Sequence, residues 1–127
     1  MGKRGLGKHR ILVVDDDEMV AEMVRHMLRR IGCLSVVCTH PVKALNLFSR
    51  APERFDAVIV DQMMPDLLGT QLAAQMLRVK DDIAVILMTG QGHLITLEEV
   101  RASGVRATLI KPVLRDRLQV TLNQVLR

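Results

Sequence analysis

The chain has 127 residues, of which 49% are hydrophobic and 25% are charged. This length and composition are typical of one globular domain and exclude a disordered chain. The formal net charge is +4, but the sequence lacks a recognition helix, zinc-finger spacing and stacking aromatic residues, so we expect no direct nucleic-acid binding. It also lacks a signal peptide and a long apolar segment, which predicts a cytoplasmic protein that does not insert into a membrane.

Strand and helix patterns alternate five times along the chain. The strand segments are short and nearly continuous in Val, Ile and Leu, which is typical of a parallel sheet covered on both faces. We predict strands at Arg10–Val14, Leu34–Thr39, Ala57–Val60, Ala84–Met88 and Ala107–Ile110. We predict helices from Glu18 to Arg30, from Pro41 onward, at Gly69–Arg78, at Thr96–Ser103 and from Arg115 to the C-terminus.

This alternation predicts an α/β fold, a doubly wound parallel sheet of five strands with five helices. We assign residues 10–127 to this domain and residues 1–9 to a flexible basic leader or linker. In such folds the ligand site lies beyond the carboxyl ends of the strands. The residues that directly follow the strands are therefore the candidates for function.

Polar side chains stand at the ends of four of the five predicted strands. They are Asp15 and Asp16 after the first strand, Asp61 after the third, Thr89 after the fourth, where Gly90 follows it, and Lys111 after the fifth. Three carboxylates, a hydroxyl and an ammonium should therefore meet at one edge of the sheet. An oxygen-only site of this kind suits Mg²⁺. An aspartate within it can attack phosphorus and form an aspartyl-phosphate.

The ordered set Asp15-Asp16, Asp61 in the stretch DQMMP, Thr89-Gly90 and Lys111-Pro112 resembles the receiver domain of bacterial two-component response regulators. The resemblance covers residues 10–127 and implies a flavodoxin-like strand order of 2-1-3-4-5. It also implies a cis peptide bond before Pro112. The resemblance implies that Asp61 is the phosphoacceptor and that Thr89, Gly90 and Lys111 contact the phosphoryl oxygens. It also implies that Asp16 and the backbone carbonyl of Met63 bind Mg²⁺ directly, while Asp15 orients the water shell of the metal.

The acidic run that follows the first strand, in the stretch ILVVDDDE, admits two interpretations when taken alone. Its carboxylates can begin a helix, since acidic residues favour the first turn. They can instead bind a cation. With Asp61 and Lys111 present, we interpret Asp15 and Asp16 as metal-site residues, and Asp17 and Glu18 as the start of the helix.

The resemblance implies two switch positions, Thr89 and Thr108, and the sequence departs from the family pattern at Thr108, where receivers commonly carry Tyr or Phe. We therefore expect the structural change at the output face on phosphorylation to be smaller than usual. Alternatively, backbone shifts and repacking of Met or Leu side chains would produce it. Met63 and Gln91 occupy the positions whose side chains tune water attack in the family, and the apolar Met63 predicts a longer phosphorylated lifetime. His93 is the histidine nearest the site and the candidate for pH sensitivity.

The resemblance implies a signalling domain that takes a phosphoryl group from a sensor histidine kinase or a histidine phosphotransfer domain. It would then bind an unknown downstream protein differently through its fourth helix, fifth strand and fifth helix, a face that is also a candidate for homodimerisation. The stretch LMTGQGHLITLEEVRASGVRATLIKP is similar to receivers fused behind histidine kinases, which favours a hybrid kinase over a stand-alone receiver. Two alternatives compete: a degenerate receiver that acts as a constitutive interaction module, and an aspartyl-phosphate hydrolase.

Overall fold

Five parallel strands and five helices make up the fold of this computed structural model, which describes residues 9–90 and 95–126. The strands are β1 (Arg10–Val14), β2 (Leu34–Cys38), β3 (Ala57–Asp61), β4 (Ala84–Thr89) and β5 (Ala107–Ile110). The helices are α1 (Glu18–Ile31), α2 (Pro41–Arg50), α3 (Gly69–Val79), α4 (Leu97–Ser103) and α5 (Arg115–Val125). The strand order β2-β1-β3-β4-β5 confirms the predicted doubly wound sheet.

The sheet separates two hydrophobic clusters because successive residues of each strand point to opposite faces. Ile11 and Val13 of β1 belong to the cluster covered by α1 and α5, whereas Leu12 and Val14 belong to the cluster covered by α2 and α3. All four side chains are fully buried. Burial on both faces explains why these strands are continuously apolar in sequence.

The predicted helix ends agree with the structure to within one residue where the sequence carries a capping residue, since α1 ends at Ile31 rather than Arg30 and α4 begins at Leu97 rather than Thr96. Asp17 caps α1 and accepts hydrogen bonds from the amides of Met19 and Val20, while Gly32 ends the helix with φ 106°. Thr96 caps α4 and exchanges hydrogen bonds with Glu99, as in a capping box. These local contacts fix where the chain leaves the sheet edge and where it returns.

Three strand limits differ from the prediction. β2 ends at Cys38 rather than Thr39, because the exposed Thr39 already turns toward α2. β3 and β4 each continue for one residue more than predicted, since Asp61 pairs with Met88 and Thr89 pairs with Ile110. A short 3₁₀ turn at Pro52–Arg54 between α2 and β3 was not predicted.

Some of the predictions concern residues outside the described part of the chain. They are the leader up to residue 8, Gln91 and His93. Within residues 9–90 and 95–126, none of the helices has the length and apolar character needed to cross a membrane.

Candidate functional site

The candidate site lies where the carboxyl ends of β1, β3, β4 and β5 meet. The parallel register places Val14 beside Val60, Asp61 beside Met88 and Thr89 beside Ile110. Backbone hydrogen bonds continue past the strands, since the amide of Lys111 donates to the carbonyl of Thr89 at 2.8 Å. The polar residues predicted from sequence therefore share one edge of the sheet.

Asp15, Asp16 and Asp61 form one acidic cluster at this edge. Each of the three can offer a carboxylate oxygen within 4.8 Å of the others. Asp15 is fully buried and Asp61 is nearly so, whereas Asp16 is exposed. One oxygen of Asp15, Oδ1, accepts a hydrogen bond from the amide of Asp17 at 2.9 Å. The cluster is therefore held by the first turn of α1 on one side and by β3 on the other.

Lys111 joins the two buried carboxylates. Its Nζ lies 2.9 Å from Oδ2 of Asp15 and 3.0 Å from Oδ1 of Asp61. Lys111 follows β5, and its peptide bond to Pro112 is cis, as the resemblance implied. One ammonium thus reaches the carboxylates of two different strands, and it partly offsets their negative charge.

The same contacts set the protonation of the pair. Burial raises the pKa of Asp61, and the hydrogen bond with Lys111 opposes this rise while the charge of Asp15 adds to it. Burial lowers the pKa of Lys111, but its close contacts with the carboxylates of Asp15 and Asp61 outweigh that effect, so the pKa is raised overall. Lys111 is therefore positively charged, and it limits the rise in the pKa of Asp61, which burial nevertheless keeps above its ordinary value.

The remaining predicted residues occupy different places around the cluster. Thr89 is buried at the end of β4, and Gly90 follows it at the same edge. The side chain of Met63 is about half exposed in the loop after β3. Thr108 lies in β5, where it pairs with Leu87 of β4, and it is exposed. It therefore lies apart from the acidic cluster.

Two residues at the site were not identified from the sequence. Gln62 is buried directly after Asp61, and its side chain contacts Thr70 in the first turn of α3. At Gly69, an added Cβ would clash with the carbonyl oxygen of Asp61 and would lie 2.9 Å from Cα of Gln62. The start of α3 therefore packs so closely against the backbone of Asp61, the candidate phosphoacceptor, that position 69 has no room for a side chain.

Comparison with known proteins agrees with this geometry. The sequence model of the response regulator receiver domain matches residues 11–123. The chain belongs to this family. A receiver domain protein from Clostridium thermocellum superimposes with a TM-score of 0.88 and 26% identity, covering 94% of each chain.

Two longer response regulators show the same relationship in sequence. Response regulator MprA from Mycobacterium sp. (strain KMS) is 33% identical over 118 residues, covering 93% of this chain and 50% of MprA. Luminescence regulatory protein LuxO from Vibrio campbellii is 31% identical over 116 residues, covering 91% of this chain and 25% of LuxO. The receiver described here thus spans a quarter to a half of the length of these relatives. The hybrid-kinase context stays a prediction.

The donor set of this receiver fits a Mg²⁺ ion. The cluster offers carboxylate oxygens, the ligands that this cation prefers. Oδ2 of Asp15 is buried, and among the described residues it makes no well-directed hydrogen bond, only the ion-pair contact with Lys111. An oxygen in that position has a lone pair available to order the surroundings of a cation. The acidic cluster is complete, so the degenerate-receiver alternative is not favoured.

Proposed function

We propose that Asp61 accepts a phosphoryl group from a phosphohistidine of a sensor histidine kinase or a histidine phosphotransfer domain. The ionised carboxylate of Asp61 attacks phosphorus, the new O–P bond forms, and the N–P bond breaks with its electron pair left on the imidazole nitrogen. The observation that carries this proposal is the position of Lys111 Nζ, within 3.0 Å of both buried carboxylates. The site therefore combines a nucleophile, the carboxylate of Asp61, with the ammonium of Lys111, which can bind the oxygens of the incoming phosphoryl group.

The proposed roles of the other residues follow from their places around Asp61. Asp16, Asp61 and the backbone carbonyl of Met63 would hold Mg²⁺, and Asp15 would orient its water shell. The ion would supply neutralisation of charge on the phosphoryl oxygens. Lys111 and the hydroxyl of Thr89 would bind those oxygens, with the amide of Gly90 beside them.

The proposed output surface is formed by α4, β5 and α5. Each element, or the residue just before it, exposes a large apolar side chain: Leu97 on α4 is 65% exposed, Ile110 on β5 is 62% exposed and Leu114 before α5 is 61% exposed. Ile110 and Leu114 line one surface pocket, and neighbouring exposed apolar side chains favour contact with another protein. We propose that phosphorylation of Asp61 changes the affinity of this surface for a downstream protein or for a second copy of the chain.

The test is the intact mass of the protein after incubation with acetyl phosphate, with Mg²⁺ or with EDTA. Wild type should gain one phosphoryl group in Mg²⁺ only, and Asp61→Asn should gain none. Asp66→Asn is the matched control, because Asp66 is an exposed aspartate in the same loop, and it should be phosphorylated like wild type. Phosphorylation of Asp61→Asn, or failure of wild type with both acetyl phosphate and a phosphohistidine donor, would refute the proposal.

A further inference from the structure

Gln62 uses all of its polar groups to join β3 to the neighbouring strand and helix. Its backbone amide donates to the backbone carbonyl of Met88 in β4, and its backbone carbonyl accepts from the amide of Gly69, both at 2.9 Å. Its side-chain Oε1 accepts from the amide of Thr70 at 2.9 Å, and Nε2 lies 3.4 Å from the hydroxyl of Thr70. Residues 63–68 are therefore a loop whose two ends are tied together by one residue.

The side chain of Gln62 performs a task that the local sequence cannot perform. The residue before α3 is Leu68, which has no polar side chain to accept a hydrogen bond from the first turn of the helix. An N-cap residue normally accepts from the second or third helical amide. Thr70 is the second residue of α3, and its amide is satisfied by Gln62 from eight positions upstream. Gln62 thus caps α3 across the loop.

Gln62 lies in sequence between Asp61 and Met63, two residues that the proposed function assigns to the metal site. Gln62 is 7% exposed, so the amide group is held away from water and its hydrogen bonds are hard to replace. At Gly69, the first residue of α3, the absence of a Cβ lets the helix approach the carbonyl of Asp61. The position of α3 relative to β3 therefore sets the direction in which the chain leaves Asp61.

We infer that Gln62 is a positioning residue of the phosphorylation site, and that its side-chain clamp on Thr70 fixes the backbone carbonyl of Met63 toward Mg²⁺. The inference rests on the proposed function. Outer partners that orient a metal ligand commonly change metal affinity by ~10-fold to ~100-fold when they are removed. Because Gln62 acts through a backbone ligand rather than by direct contact, its removal should act mainly on metal affinity.

Gln71 provides a matched control for the substitution. Its Oε1 accepts from the amide of Leu68 at 2.9 Å, so it also holds this loop to the start of α3. Unlike Gln62, it is exposed and bonds only within the loop–helix junction, without reaching β3. Gln71→Met and Gln62→Met each remove one glutamine acceptor from a backbone amide. They differ in whether the lost contact reaches the strand that carries Asp61.

The experiment is Mg²⁺ titration by isothermal calorimetry on wild type, Gln62→Met and Gln71→Met. We expect the dissociation constant to rise about tenfold in Gln62→Met and by less than about twofold in Gln71→Met. Hydrogen exchange at the amide of Thr70 should accelerate in Gln62→Met alone, which would verify that the clamp has opened. Gln62→Glu keeps the acceptor for that amide, and it should bind Mg²⁺ at least as tightly as wild type.

Equal dissociation constants for the two methionine variants would overturn the inference, even if Asp61 is phosphorylated normally. If Gln62→Met does not fold, the decision passes to Gln62→Glu, and weaker Mg²⁺ binding in that variant would overturn the inference too. A wild-type protein that binds no Mg²⁺ would contradict both this inference and the metal-dependent function. Wild type that binds Mg²⁺ but never acquires phosphate would contradict the proposed function alone.

Discussion

Lys111 Nζ lies 3.0 Å from Oδ1 of Asp61, and the same ammonium contacts the fully buried carboxylate of Asp15. The lysine side chain is itself 24% exposed, so the pair is screened only in part by water. Two buried carboxylates that share one ammonium form a unit, because removing the cation leaves like charges facing each other. Lys111 therefore has a structural role in addition to its proposed contact with the phosphoryl group.

Lys111→Met should destabilise the metal-free protein by about 3 kcal/mol, the lower end of the range for breaking a buried ion pair. Urea unfolding in EDTA measures this change. Lys80→Met is the control, because Lys80 contacts Asp82 at the similar distance of 2.9 Å but Asp82 is 73% exposed. The control should change the free energy of unfolding much less than Lys111→Met does, because water screens an ion pair whose carboxylate is exposed. Equal effects of the two substitutions would contradict a structural role for Lys111.

The pH dependence of stability should reveal the buried carboxylate of Asp61. Its folded-state pKa is raised above the ordinary 3.8, so the folded protein holds the proton more tightly than the unfolded chain does. The resulting stabilisation is complete below pH 3.8 and is lost as the pH rises through the folded-state pKa. In EDTA, wild type should therefore lose stability relative to Asp61→Asn as the pH rises from acid toward neutral.

Asp82 provides a control of opposite sign for this pH experiment. Its hydrogen bond with Lys80 lowers the pKa of Asp82, so the associated stabilisation is present above the unfolded pKa and is lost on acidification. Urea unfolding curves from about pH 2 to pH 8 compare Asp61→Asn and Asp82→Asn with wild type, because the Asp82 effect appears only below the ordinary carboxyl pKa of 3.8. A wild type that tracks Asp61→Asn at every pH would show that burial does not penalise the charged form of Asp61.

Gly69→Ala tests how closely α3 approaches the phosphoacceptor. Helix propensity alone would make alanine about 1 kcal/mol more stable than glycine. The new Cβ would meet the carbonyl oxygen of Asp61 and Cα of Gln62, which are backbone atoms and cannot rotate away. We expect a loss of about 2 kcal/mol or more on unfolding in urea, as for an overpacked core. Gln75→Ala on the exposed side of α3 should stay within about 0.5 kcal/mol of wild type.

The parts of the fold that could be predicted from sequence are those with local signals. The apolar run of β1 stops at Asp15, and α1 and α4 begin directly after Asp17 and Thr96, whose side chains cap these helices. The exact ends of β3 and β4 could not be predicted, because they depend on pairing with partners in other strands.

The roles of Gln62 and Gly69 at the site could not be predicted either, because they also depend on contacts between separate elements. Gln62 bonds to Thr70 eight residues away, across a loop with no periodic pattern, and a glutamine in a loop is ordinarily a solvated residue. The need for glycine at position 69 arises from the packing of α3 on β3 and not from its neighbours in sequence. Contacts of this kind become visible only when the elements are placed together.

Thr108 should limit the response of the output surface to phosphorylation. Its side chain is exposed on β5, and it is small, so no aromatic ring can move between an outer and an inner position when Asp61 gains charge. With beryllium fluoride as a phosphoryl mimic, we expect amide chemical-shift changes to concentrate around Asp61 and Lys111. Changes in residues 95–127 should be smaller in wild type than in Thr108→Tyr, which restores a ring at this position.

Asp61→Asn treated with the mimic is the control, because shift changes that persist without the carboxylate do not report phosphorylation. Thr108→Tyr must also retain the stability of wild type in urea, which is expected because the substituted side chain points to solvent. Large shift changes across residues 95–127 of wild type would contradict the prediction. They would mean that the signal is transmitted without an aromatic switch, by backbone movement or by repacking of buried side chains such as Leu109 of β5 and Leu118 of α5.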